Sequence, residues 1–264
     1  MNDPPMYQII EYLKFLWLSK NHHGVHSPFV FQLVTKCFYD RTKYPDYHNL
    51  KQYRASLLND KSTIEISDFG SGSRVFTSNK RRVRQIAKTS GTPLKRAKLL
   101  YRMVNYLNVE SILELGSSLG IGSYSMALAA RQANIISVEG CPEISRFASD
   151  NLKRHNIDNV NLINGIFLEV LPTLSHNKWD LVFIDGHHHK DATLSYFNQL
   201  LPSAHNDSVF IFDDIHWSKG MSEAWETIKN HHEVTVSIDT FYWGFVFFRK
   251  EQAKEHFTIR LKML

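Results

Sequence analysis

The sequence predicts an α/β fold: a doubly wound, mostly parallel sheet that ends in an antiparallel hairpin and is preceded by a helical N-terminal extension. Three observations predict it. From about Asn108 onward, short β-branched apolar runs alternate with amphipathic stretches, the spacing of βαβ units in a parallel sheet covered on both faces. The last two apolar runs are joined only by residues 239–244, too short a link for a parallel crossover. Before about residue 108 the pattern is mostly helical.

Taken in order, the N-terminal segment 6–19 puts Ile9, Ile10, Leu13, Leu16 and Trp17 on one helical face, and 28–38 reads as a second helix opening at Pro28. A basic helical stretch carries Lys80, Arg81, Arg82, Arg84 and Lys88, and 93–107 is a helix feeding the first strand. Seven strands follow, at 111–115 (SILEL), 135–138 (IISV), 160–163, 181–184 (LVFI), 209–212 (VFIF), 234–238 and 245–249. Helices at 124–131, 143–155, 167–174 and 191–201 separate the first five, and one at 219–231 precedes the last pair. The expected division is a helical extension over 1–90, serving as a cap or dimer contact, and an α/β domain over 91–264.

Composition bounds the function without naming it. The 264 residues are 43% hydrophobic and 22% charged, which excludes wholesale disorder, and the length is ample for a core. A net charge of +5 and pI near 9.1 permit an anionic partner without requiring one. The two cysteines, Cys37 and Cys141, are expected to be free thiols in a reducing, cytoplasmic compartment, and they cannot build a cysteine zinc site. The apolar stretch 9–18 is interrupted by Glu11 and Lys14 and falls short of the roughly 20 residues a membrane span needs, so neither anchor nor signal peptide is expected.

Two glycine-containing segments could cradle a nucleotide, 68–73 (DFGSGS) and 114–123 (ELGSSLGIGS). Glycines let the backbone turn sharply beside a ligand while the next helix offers its N-terminal amides. Only the second segment follows a strand, opens a helix and is followed by a further strand ending in an acid, Glu139, where a carboxylate can hold both ribose hydroxyls. Gly116, Gly120 and Gly122 do not have the G-x-G-x-x-G spacing of nicotinamide or flavin sites. Glu114, inside ELG, suits a cationic cofactor, because a carboxylate there can bind the loop and help orient an amino group. Together these features point to S-adenosylmethionine.

The ordered series ILELGSSLGIGS, SVEG, NGIF, FIDGHH and FDDIHW resembles class I S-adenosylmethionine-dependent methyltransferases, especially the metal-dependent O-methyltransferase branch with its catechol and sugar O-methyltransferases. The resemblance covers roughly residues 90–250 and implies a Rossmann-like, seven-stranded sheet ending in an antiparallel hairpin. It implies that Glu114, Gly116 and Gly120 surround the methionine end of the cofactor and that Glu139 holds its ribose. Ser118 replaces the family's second glycine. Gly165 to Phe167 fall where the family contacts adenine, so Phe167 is a stacking candidate, with a core aromatic as the alternative. Residues 90–92 resemble the segment that closes over the cofactor.

Asp185 ends one predicted strand, and Asp213 and Asp214 end the next. Strand carboxyl ends line the ligand crevice of an open parallel sheet, and three carboxylates gathered there would repel one another unless a hard divalent cation such as Mg²⁺ neutralised them. The alternative is that they cap helices or bind backbone amides. The resemblance implies the first, with all three as metal ligands.

His187, His188 and His189 follow directly, a run that could also attract a transition metal adventitiously. Within Asp-Gly-x-His, His188 sits where the sugar-methylating members carry a general base, and Lys190 is the fallback. Trp217, Trp225, Tyr242 and Trp243 are candidates for an aromatic substrate wall, and His22, His23 and His26 for a weaker ligand cluster.

The expected activity is methyl transfer from S-adenosylmethionine to a small-molecule hydroxyl with Mg²⁺ assistance. The alternatives are an RNA methyltransferase, which the basic pI favours, and a non-catalytic cofactor-binding protein. Nucleic acid is disfavoured as a partner because the Asn/Asp-Pro-Pro-aromatic signature of base N-methylation is absent. A small-molecule acceptor and a second copy of the chain are the partners expected.

Overall fold

The computed structural model describes residues 5–66, 80–174 and 176–261, so the glycine segment at 68–73 lies outside the described residues. The chain forms two compact units, Met1–Tyr39 with Leu171–Leu264, and Asp40–Val170. The fold is α/β with a mostly parallel sheet, as the strand–helix alternation requires.

The N-terminal helices belong to the first unit. Helix α1 (Pro5–Leu18) packs through Tyr12 and Phe15 on Phe241, with ring centroids 4.8 and 5.6 Å apart. Met6, Ile9, Ile10, Leu13, Trp17 and Leu18 of the same helix face solvent. Helix α2 (Pro28–Leu33) starts where the sequence requires: Ser27 Oγ accepts the Val30 N–H and Pro28 takes the first turn, where a missing N–H costs nothing. The helix then widens into a π turn over Val34–Phe38. Phe29 and Phe38 pack edge-on or tilted against Phe247 and Phe245, each pair 5.1 Å apart.

The second unit opens with α3 (Asp46–Asn59), which the sequence reading missed, and a two-stranded antiparallel ribbon of β1 (Thr63–Glu65) and β2 (Lys80–Arg82). The basic run expected to be helical is therefore strand over Lys80–Arg82 and helix only from Val83, in α4 (Val83–Thr89). Helix α5 (Leu94–Leu107) ends on Asn108 at φ +51°, the left-handed stop that asparagine tolerates. Then come β3 (Ser111–Leu115), α6 (Ile121–Ala129), β4 (Asn134–Glu139), α7 (Pro142–Arg154), β5 (Val160–Asn164) and α8 (Phe167–Leu174). Strands β3, β4 and β5 pair in parallel in that order, which brings the ends of β3 and β4 side by side.

The C-terminal part of the first unit holds β6 (Leu181–Ile184), α9 (Lys190–Leu200), β7 (Val209–Asp213), α10 (Lys219–Asn230), β8 (Val236–Asp239), β9 (Trp243–Phe247) and β10 (Glu255–Thr258). Strands β6 and β7 are parallel, β9 runs antiparallel to both β7 and β8, and the expected terminal hairpin is present. The β6, β7 and β9 side chains are buried throughout, which is why these strands read as unbroken apolar runs rather than alternating ones. A Cβ on Gly244 would stand 2.6 Å from the Trp225 ring, so glycine is what lets that indole lie flat on β9. All seven expected strands exist. Strand β10 is additional, pairing in parallel with β8, and its sequence EHFT carries no apolar alternation to announce it.

Among the described residues no helix is long and apolar enough to cross a membrane. Cys37 and Cys141 are buried free thiols.

Candidate active site

The loop between β3 and α6 is held by two carboxylates of the same unit. Glu114, on β3, is only 1% exposed and accepts hydrogen bonds from the hydroxyls of Ser123, in the first turn of α6, and Ser137, on β4. Burial outweighs these hydrogen bonds and pushes its pKa up to about 7. Ser137 Oγ also meets Ser117 Oγ at 2.6 Å, so one buried carboxylate organises three serine hydroxyls beneath the loop.

Glu139, at the end of β4, works on the same loop: its Oε2 accepts the Ser118 N–H and its Oε1 the Cys141 N–H, both at 3.0 Å. Burial raises its pKa, and the amide hydrogen bonds oppose that rise. A carboxylate has about four acceptor positions, so each oxygen keeps capacity for a ligand hydroxyl.

The backbone explains why this loop is built from small residues. Gly116 and Gly120 have φ +102° and +77°, and Ser118 has φ +46°. Gly116 N–H bonds the Val138 carbonyl at 2.9 Å, anchoring the turn to β4, and Gly120 caps α6. A Cβ on Gly120 would come 3.0 Å from the Tyr53 hydroxyl. Tyr53 itself donates to the Leu119 carbonyl at 2.8 Å and stacks on Tyr124 with centroids 4.2 Å apart. Sequence reasoning missed Tyr53 because it lies on α3, 66 positions from its partner.

Phe167 opens α8 and is half-buried. The turn before it is fixed by Gly165 N–H on the Glu139 carbonyl at 3.0 Å and by the Asn164 amide on the carbonyls of Glu139 and Gly140. Glu114, Gly116, Ser118, Gly120 and Glu139 thus share one hydrogen-bonded frame, and Phe167 follows a turn tied to its edge. Residues 90–92 join α4 to α5.

A second group lies in the other unit. Ligand atoms of Asp185, after β6, His188, and Asp213, at the end of β7, all lie within 4.8 Å of one another. His188 Nε2 is 3.9 Å from Asp185 Oδ1, and Asp213 is 7% exposed. Asp214 does not belong to this group; it adopts φ +53° and its carbonyl accepts the Trp217 N–H at 2.9 Å. His187 and His188 are also at positive φ, +69° and +23°. Such conformations persist only where the surroundings enforce them.

The neighbours of this group divide the roles within the histidine run. His187 Nδ1 lies 2.7 Å from the Tyr196 hydroxyl. Burial pushes the Tyr196 pKa up to about 12, so that hydroxyl keeps its proton. His189 is exposed and precedes α9. Lys190, the fallback base, is held by Glu223 at 2.7 Å, and that carboxylate raises its pKa, which keeps it an ammonium and a poor proton acceptor.

One expected feature takes another form. Trp225 and Trp243 are core side chains rather than a substrate wall, Trp243 packing on Phe183 at 5.4 Å; Tyr242 remains exposed and Trp217 half-buried. His22 packs on Phe31 and Tyr39.

Residues 113–215 match the family model described as a methyltransferase domain. Over 123 residues the chain is 28% identical to the catechol O-methyltransferase of Mycobacterium tuberculosis, covering 46% of this chain and 55% of that one. Over 90 residues it is 33% identical to the 23S rRNA (uracil(1939)-C(5))-methyltransferase RlmD of Shewanella denitrificans, covering 31% of this chain and 18% of that one. The matches thus span less than two thirds of either relative's length. The fold is similar to that of the S-adenosylhomocysteine-bound methyltransferase PaMTH1 of Podospora anserina, with a TM-score of 0.60 at 14% identity over 86% of this chain and 97% of that one. The matched span runs from within β3 to just past β7 and includes Glu114 and Glu139, so this stretch of the chain is similar to methyltransferase domains.

Proposed function

We propose that this chain transfers the methyl group of S-adenosylmethionine to a hydroxyl of a small molecule, with a divalent cation at Asp185 and Asp213. The observation that carries the cofactor half is the frame around the β3–α6 loop. Glu139 holds the loop at Ser118 and keeps acceptor positions for a ribose diol, while positive φ at Gly116, Ser118 and Gly120 curls the backbone as close approach of a ligand requires. Glu114 stays beneath, fixing the first turn of α6 through Ser123.

The donor set of the second group, two carboxylates and an imidazole within 4.8 Å, fits a divalent cation. Such a cation, when bound, lowers the pKa of a coordinated hydroxyl. In the transfer, an acceptor oxygen lone pair forms the new C–O bond and the C–S bond breaks toward sulfur, leaving S-adenosylhomocysteine, while the hydroxyl proton passes to water. The matched catechol O-methyltransferase supports oxygen as the methylated atom.

Calorimetry with S-adenosylhomocysteine and with NAD tests the cofactor, and transfer of labelled methyl from S-adenosylmethionine to a simple catechol tests the reaction. Binding of NAD alone would remove the reading. The RlmD match and the pI near 9.1 favour a second reading, methylation of RNA. It requires RNA binding that weakens steeply with salt, and salt-independent or absent binding would dismiss it.

A further inference from the structure

We infer that His188 is a metal ligand rather than the proton acceptor, and that the site it completes prefers a first-row transition ion such as Co²⁺ or Fe²⁺ over Mg²⁺. The inference rests on the divalent-cation part of the proposed function and specifies the ion. Two donors about 2.1 Å from one ion stand about 3 Å apart when adjacent and about 4.2 Å apart when opposite. The 3.9 Å between His188 Nε2 and Asp185 Oδ1 lies inside that range, with Asp213 completing the group.

Nε2 is the ring nitrogen that faces Asp185, and an imidazole nitrogen that binds a metal has no lone pair left for a proton. Asp214, the oxygen donor that would make the site all-carboxylate, is outside the group. Mg²⁺ takes oxygen donors, whereas imidazole suits the later first-row ions. His187 and His188 both stand at positive φ, a backbone that the surrounding structure must hold in place. All three donors lie within the span matched by the methyltransferase family model.

The test uses tag-free, full-length protein, because the chain has 14 histidines and a tag would add more. Co²⁺ binding is followed by its visible absorption and by calorimetry, and Mg²⁺ binding by calorimetry, in wild type and in His188→Gln, His189→Gln and Asp185→Asn. Wild type is expected to bind Co²⁺ at least about 10-fold more tightly than Mg²⁺. His188→Gln should lose about 10–100-fold in Co²⁺ affinity, with Mg²⁺ changed less than about 3-fold. His189→Gln should match wild type, and Asp185→Asn should lose both ions.

Equal Co²⁺ affinity in wild type and His188→Gln, with Asp185→Asn impaired, would overturn the inference and leave the cation site standing. Equal losses in His188→Gln and His189→Gln would also overturn it, assigning the cobalt to the histidine run as a whole. Failure of wild type to bind either ion would overturn both this inference and the cation half of the proposed function.

Discussion

Glu139 Oε2 accepts the backbone N–H of Ser118 at 3.0 Å, across 21 residues of sequence and two neighbouring parallel strands. The acid at the end of β4 thereby shapes the cofactor loop at the end of β3, besides being available to a ligand. Glu139→Ala removes two charge-assisted hydrogen bonds to backbone amides, each worth about 1.5–3 kcal/mol, along with the proposed ribose contacts. S-adenosylhomocysteine affinity should fall at least about 30-fold by calorimetry. Unchanged affinity would take Glu139 out of the cofactor site.

Glu114 makes stability depend on pH in a defined direction. Its pKa rises on folding from 4.5 to about 7, so the folded chain binds the extra proton between those values. The ligand-free protein should lose stability as pH rises through that window and stay at the lower level above it. At about 1.4 kcal/mol per unit, the loss is about 3 kcal/mol. Glu114→Gln removes the titration while keeping an acceptor for the serines. Urea midpoints of the two proteins should diverge from pH 5 to pH 8, with the variant gaining relative to wild type. Parallel profiles would show that Glu114 does not titrate in this window.

Chelation should abolish methyl transfer while leaving S-adenosylhomocysteine affinity within about 2-fold, because the loop frame contains none of the cation ligands. Asp185→Asn and Asp213→Asn should behave alike, each losing at least about 100-fold in turnover. Asp214→Asn should cost less, since Asp214 stands outside the group of three. Full turnover after exhaustive chelation would return Asp185 and Asp213 to structural duty.

On α1, Met6, Ile9, Leu13 and Trp17 recur at the three- and four-residue spacing of one helical face, and Trp17 is 86% exposed. An apolar face of this kind marks an interaction surface. The helix offers only Lys14 as a cation, paired with Glu11 at 2.6 Å, so its charge gives an anionic surface little hold and a second copy is the expected partner. Sedimentation velocity should show concentration-dependent self-association that Leu13→Lys with Trp17→Glu abolishes. A wild-type monomer at every concentration would exclude that pairing.

The sequence by itself determined seven of the strands, the terminal hairpin and the glycine loop, because each is written in local periodicity: a strand buried on both faces is an apolar run, and a sharp turn needs glycine. It also placed Glu139, Asp185 and Asp213 at strand ends, because each acid closes an apolar run. Tertiary structure alone decided which groups meet. Tyr53 reaches the Leu119 carbonyl from a helix with no periodic link to the loop. Strand β10 forms because β8 offers an edge, not because EHFT favours extension. His188 joins Asp185 and Asp213 while Asp214 does not, and His188 and Asp214 stand at φ +23° and +53°. Positive φ at residues other than glycine costs energy locally and is enforced only by the surrounding packing, so no local pattern encodes it.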